Sequence, residues 1–276
     1  LAMSEVLWSY PKERNYNDFL SRADIHAHLL RNYGVNVGLD AFPCQISTLK
    51  DPSNKAQISI QPGRKDLQFK YQWGMDSLML PMDSSLNMPI NRSGLLKIQA
   101  TKDNNLYGET VQQQIQLHKG LFNKVSYSSN YSSYYQANGE SSLTDGQLGS
   151  LDFRDGDWQG FWDTKIDLTI DLEREIPFDS LNVHFYQYIN SWIFSPIEIS
   201  FNVSNDSINW TNLGIVKNEE NISKRGKLID KISINNSSKK PYRYINLVAT
   251  PLKVIPNWHE AAGNSTWLFI DEIIVR

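Results

Sequence analysis

The sequence predicts a mainly β protein: two antiparallel β-sandwiches preceded by a short α-helical segment. Three observations carry this. Ile166, Leu168, Ile170 and Leu172 alternate strictly with Asp167, Thr169, Asp171 and Glu173, the period of a strand with one face buried. Short β-branched and aromatic runs recur between Gly, Pro, Asn and Asp turns from residue 57 to residue 275, the spacing of a sandwich or jelly roll. Helical periodicity is confined to the first 34 residues.

Composition bounds the rest. A chain of 276 residues, 40% hydrophobic and 21% charged, is globular and long enough for two or three domains. The composition shifts divide it into residues 1–34, 35–120 and 121–276. Net charge is −3, from 27 basic and 30 acidic residues, and Lys is concentrated only at Ser237-Ser238-Lys239-Lys240. That argues against a nucleic-acid or anionic-membrane partner. Cys44 is the single cysteine, so no intrachain disulfide forms, and its simplest place is in a core. The sequence shows neither an apolar run of membrane-spanning length nor a basic-then-apolar signal peptide, so no membrane insertion is expected.

In chain order, Asn15 or Asn17 caps a helix over Asp18 to Tyr33. Phe19, Ala23, His26 and Leu30 lie along one face of it, and Gly34 ends it. Strands are predicted at Gln57 to Ile60, at Leu67 to Trp73 with Leu67, Phe69, Tyr71 and Trp73 on one face, at Leu95 to Ala100 and at Val111 to His118. Met75, Met79, Met82 and Met88 are irregularly spaced and read as packing. Leu121 to Ser142, rich in Ser, Tyr and Asn, reads as a bridging segment that pairs at a sandwich edge, with Tyr127, Tyr131, Tyr134 and Tyr135 packed on surfaces. Beyond Ile166 the strand runs are Leu181 to Phe185, Ile197 to Val203, Ile232 to Ile234, Tyr242 to Ala249 and Trp267 to Val275.

Leu143 to Asp163, LTDGQLGSLDFRDGDWQGFWD, holds the densest turn chemistry: Asp145-Gly146, Gly149-Ser150 and Asp155-Gly156. Trp158, Phe161 and Trp162 follow these turns, so an ordered loop here can offer oxygens to a cation and rings to a ligand. LTDG with GS, then DGDWQGFWD, INSWIFSP and NWHEAAGNSTWLFIDEI, resembles the discoidin-type (coagulation factor 5/8 C-type) module. It is most similar to the carbohydrate-binding form at the C-terminus of bacterial β-N-acetylhexosaminidases. SEVLWS and PKERNYNDFLSRADIHAHLLRNYGVN resemble the last helices of the catalytic barrel of those enzymes (glycoside hydrolase family 20-like). The turn order of residues 35–120 and VQQQIQLHKG resemble the fibronectin-like domain that follows that barrel, departing from it at WGMDSLMLPMDSSL. The resemblance implies the tail of a barrel, a fibronectin-like sandwich and a discoidin-type jelly roll. Its implied partners are a glycan and the missing catalytic barrel of the same polypeptide. The implied compartment of the parent protein is the periplasm, the cell surface or the medium.

Catalysis is not expected. Glycoside hydrolysis needs two carboxyl groups aimed at one bond, or one acid and a group that orients the substrate's own amide. Asp271-Glu272 is the only adjacent acid pair of the right type, and neighbours on a strand point to opposite faces. Glu219-Glu220 reads as a solvated turn, and His26 and His28 fall on different faces of their helix. For calcium, the resemblance implies Asp145 and Glu272, with Asn138, Ser142 or Ser150 as companions; the other reading is that Asp145 caps its turn and Glu272 is a surface strand residue. For glycan binding, the loops offer Trp158, Tyr188, Trp192, Trp258 and His259, with Asp152, Arg154, Gln159 and Asn190 for hydroxyls. The alternative is that these rings plug the sandwich and the chain braces the barrel without binding sugar.

Overall fold

The computed structural model describes residues 10, 12, 15–35, 43–53, 55–76, 78–82, 86–218 and 222–276. The opening LAMSEVLWS and the Glu219-Glu220 pair lie outside them.

Helix α1 (Tyr16–Asn32) starts at Asn15, whose Oδ1 accepts the N–H groups of Asn17 and Asp18 at 3.0 and 3.2 Å. The inward face differs from the predicted stripe. Phe19, Leu20, Ala23, Asp24 and Ala27 are half-buried, while His26 and Leu30 face solvent. The physical reason is that an ion cluster sets the rotation of the helix. Asp24 receives two hydrogen bonds from the Arg64 guanidinium at 2.9 Å each and a third from Lys102, and Asp66 braces the same Arg64.

The first sandwich pairs a three-stranded sheet, β1 (Cys44–Lys50), β2 (Ala56–Pro62) and β5 (Asn87–Pro89), with a five-stranded one. The latter runs in the order β4 (Leu80–Pro81), β3 (Gln68–Trp73), β6 (Gly94–Lys102), β7 (Asn105–Ile115) and β9 (Gln147–Leu148). Ile58, Leu96, Ile98, Phe69 and Trp73 fill it, and β1, unforeseen in the sequence, closes it. Cys44 is buried there, and burial pushes its thiol up to about 11, so it packs as an inert hydrophobe. Met82 and Met88 pack on the same core, whereas Met75 is exposed.

In the second sandwich the five-stranded sheet has the order β14 (Thr211–Lys217), β13 (Glu198–Ser204), β16 (Pro241–Thr250), β11 (Ile166–Pro177) and β8 (Lys124–Tyr127). Facing it are β10 (Gln159–Trp162), β17 (Trp267–Val275), β12 (Ser180–Gln187) and β15 (Leu228–Asn235). The predicted alternation is realised: Ile166, Leu168, Ile170 and Leu172 enter the core while Asp167, Thr169 and Asp171 stay at its surface. The bridging segment does pair at the edge, as β8 against β11. Tyr134 departs from its expectation, since its ring is exposed, while Tyr135 sits among Phe153, Trp267 and Phe269.

The two sandwiches share the segment between Thr144 and Gly149. There β9 pairs with β7, Gln116 N–H donates to Gly146 O at 2.8 Å, and Thr48 Oγ1 donates to Asp145 O at 2.5 Å. Lys119 N–H reaches the Val275 carbonyl at 2.8 Å, and side chains cover β17 outside the core as well, Tyr135 and Phe153 against Phe269 and His118 against Glu272. This is why FIDEIIV is buried throughout and does not alternate.

Candidate functional site

Strand β10 lies antiparallel to the start of β17, with Trp162 opposite Trp267. Alternation sends Phe161 into the core and leaves Trp162 outside, 40% exposed. The loop from Tyr188 to Phe194 is zipped to the same corner: Trp267 N–H donates to Trp192 O at 2.9 Å, and Phe194 N–H to Trp267 O at 3.1 Å. Between these anchors a short 3-10 turn, Ile189–Ser191, ends on Trp192 in the left-handed region at φ 62. Such a backbone is costly for a bulky residue and is held only when its surroundings impose it. Its effect is to lay the Trp192 indole nearly parallel to that of Trp162, centroids 6.3 Å apart at 28°, with Trp267 packed against Trp162 at 4.9 Å.

Polar groups border this ledge. Asn190, exposed, and Ser191 sit on the turn that presents Trp192. On the other side the ring contacts continue from Trp267 through Tyr135 to Phe153, where the Arg154 guanidinium lies 4.9 Å from the ring centroid. Asp152 is exposed beside it and caps its own turn by accepting Arg154 N–H. Tyr188 is half-buried under the Lys227 ammonium.

Three expected site residues turn out to be structural. Trp158 is 1% exposed, packed edge-on to Tyr186 with Nε1 donating to Ser150 O at 2.9 Å. Gln159 is fully buried, its amide donating to Gly139 O at 3.0 Å. Trp158 lies inward because the close approach of Gly149 leaves a slot for the indole: a Cβ on Gly149 would stand 2.3 Å from it. His259 spends both nitrogens on the scaffold, Nδ1 accepting Ala261 N–H at 3.1 Å and Nε2 donating to Ile189 O at 3.0 Å. That bond ties the loop carrying the exposed Trp258 to the turn below Trp192.

Asp145 and Glu272 do meet, but not as an oxygen cage. Asp145 Oδ1 accepts Gln147 N–H at 2.8 Å and Oδ2 accepts the Asn138 amide at 2.7 Å. Glu272, wholly buried and not on the surface, accepts Gly146 N–H at 3.1 Å on Oε2 and faces His118 Nε2 at 2.7 Å through Oε1. His118 Nδ1 accepts the N–H groups of Gly120 and Val275 at 3.1 and 3.3 Å, so the ring proton sits on Nε2 and donates to Glu272. Burial lowers His118 to about 3, consistent with this neutral form. Ser142 Oγ donates to Gly139 O at 2.8 Å and Ser150 serves the turns around Trp158. Among the described residues no three His, Cys, Asp or Glu side chains come together as metal ligands. As arranged, Asp145 and Glu272 form a hydrogen-bonded clasp.

Burial raises Asp271, and burial reinforced by neighbouring carboxylates raises Asp145 to about 6, Asp157 to about 8 and Glu272 as well. Asp271 points the other way from Glu272, accepting Gly149 N–H at 3.0 Å, with its second oxygen 3.6 Å from His184 Nδ1, too far for a hydrogen bond. Both acids are fully buried on opposite sides of β17, out of reach of a substrate.

No protein-family model matches the chain, and no curated protein is similar to it. Similar solved structures include the CpGH89CBM32-4 module of Clostridium perfringens, in complex with GlcNAc-α-1,4-galactose, at 20% identity over 58% of this chain and 92% of that one, TM-score 0.36. Chitosan-binding module 1 of a chitosanase/glucanase from Paenibacillus sp. IK-5 is 15% identical over 58% of this chain and 99% of that one, TM-score 0.38. The C-terminal domain of a chitobiase from Bacteroides fragilis is 19% identical over 55% and 93%, TM-score 0.33. Likeness at this level assigns no family, and the functional reading rests on the ledge.

Trp192 and Asn190, expected in a loop, lie at the 189–191 turn, whereas the expected set left out Trp267 and used Trp162 only as a general loop ring. The missed signal is positional: each stands at the open end of a strand, β10 or β17, whose next inward residue, Phe161 or Leu268, is core.

Proposed function

We propose that the Trp162–Trp192–Trp267 ledge is a glycan platform and that the chain is a non-catalytic carbohydrate-binding region. The observation that carries it is the stacked indole pair, Trp162 exposed and Trp192 half-buried, beside the exposed Asn190 amide, because sugar C–H faces dock on aromatic rings while hydroxyls take planar hydrogen bonds. The motif resemblance supports a parent enzyme of the β-N-acetylhexosaminidase type, acting outside the cytoplasm where such glycans lie. The test is a glycan array followed by titration of the best oligosaccharide against Trp162→Ala and Trp192→Ala. Removing either platform ring weakens binding by about 1–3 kcal/mol with the fold kept. Unchanged affinity in both variants, or no glycan bound by the parent protein, overturns the reading.

The bracing alternative draws on α1, which leaves Ile25 and Leu29, one turn apart, exposed on a shared face. If the ledge binds no glycan while Ile25→Ser, Leu29→Ser weakens association with a separately expressed barrel of the resembling enzymes, that reading replaces the first.

A further inference from the structure

We propose a second saccharide site, separate from the tryptophan ledge, in the groove along the edge strand β8. The groove has a volume of about 470 Å³, the size range of small-ligand sites, and is lined by Lys124, Val125, Ser126, Tyr127, Tyr131 and Glu140, with Asn130 beside them. Its making follows from the sheet. β8 pairs with β11 on one side only, and the chain then turns through Asn130 and Tyr131 and returns as the 3-10 turn Gly139–Thr144, leaving a trough beside the strand.

The chemistry inside it is that of a sugar site. The Tyr127 and Tyr131 rings stand 5.2 Å apart at 70°, forming an apolar corner against buried Val125. Tyr131 is fixed from behind by Phe161, 6.3 Å away, so the corner is rigid. At the rim Asn130 offers a planar amide, Ser126 a hydroxyl, Lys124 an ammonium and Glu140 a carboxylate, all exposed. One charge of each sign gives no net field for a polyanion or polycation, while donors and acceptors alternate as hydroxyl recognition requires. The Tyr127 hydroxyl is shut from solvent and turned toward the buried Gln159 side chain, so it closes the wall of the groove from behind. The ligand class that fits is a neutral disaccharide.

The groove does not depend on the ledge, and the experiment separates them. Isotope-labelled protein is titrated with N,N′-diacetylchitobiose, lactose and cellobiose while backbone amides are followed by NMR, in the parent protein and in Trp162→Ala, Trp192→Ala. The expected result is that Ser126, Asn130 and Glu140 shift with at least one disaccharide in both proteins. Glu140→Gln and Asn130→Ala, at exposed positions that leave the fold intact, weaken this response at least tenfold. Shifts confined to the ledge overturn the second site and leave the ledge standing. Response of the groove to an extended peptide and to none of the sugars overturns it in favour of strand addition at β8. No shift anywhere overturns both.

Discussion

Trp158 shows at the scale of one residue how burial reassigns a ring. Its indole fills the slot that Gly149 leaves open, holds Tyr186 edge-on and hydrogen-bonds Ser150 O, so it is a plug. Trp158→Ala is expected to cost about 3–5 kcal/mol, on the order of 10 °C in melting temperature, with glycan affinity unchanged where the protein stays folded. Gly149→Ala drives a methyl into a rigid, buried ring and should lose about 1–3 kcal/mol by calorimetry. Gly146 is constrained twice: φ is +80, and a Cβ would meet the Gln116 carbonyl oxygen at 2.9 Å. A melt of Trp158→Ala equal to that of the parent would show that the slot is not filled in solution.

At the scale of elements, α1 and the Trp192 loop are each positioned by a few polar bonds. Helix α1 has a weak apolar stripe and is held chiefly by Asp24 against Arg64 and Lys102, which together keep Asp24 and Asp66 below the usual carboxylate range, Arg64 hydrogen bonds being the main cause in Asp66. Asp24→Ala should therefore release α1 to protease while β11 to β17 melt as before. Equal cleavage of variant and parent would show that the apolar contacts suffice. The Trp192 loop is held by backbone bonds to Trp267 and by His259, so its geometry is fixed by the fold itself.

The molecule as a whole turns on the joint at residues 144–149, where the His118–Glu272 clasp and the β7–β9 pairing connect two separate cores. Its titration has a definite sign. Asp145 and Asp157, raised to about 6 and about 8, contribute stability that is full below their unfolded values and is lost as pH rises through 6 and 8. His118, lowered to about 3, has the opposite effect: between its unfolded value near 6.5 and 3 the unfolded chain holds a proton that the folded one refuses. The melting temperature should rise from pH 9 towards 6.5 and fall below about 4, and Asp157→Asn should flatten the alkaline limb. An alkaline limb equally steep in Asp157→Asn would refute this assignment. Because N–H donors hold Asp145 and Glu272, excess chelator should leave the melt unchanged. A chelator-sensitive melt restored by calcium would show that the clasp opens into the cage that the resemblance implies.

The sequence by itself determined the β class, most of the strands and the inward set of each. Alternation with period two is a local property, and Ile166 to Leu172 are buried as their pattern requires. Three matters were decided only in three dimensions. The helix rotation follows from Arg64, forty residues beyond Asp24. The burial of Trp158, Gln159 and Glu272 follows from partners brought in by other strands and by the first sandwich, which no local periodicity encodes. The ledge exists because β10 and β17 pair in a register that sets Trp162 beside Trp267, while the 189–191 turn folds Trp192 over them. Side-chain period is written along one strand; which side chains stand face to face is fixed by pairing between distant strands, and pairing is a property of the folded chain.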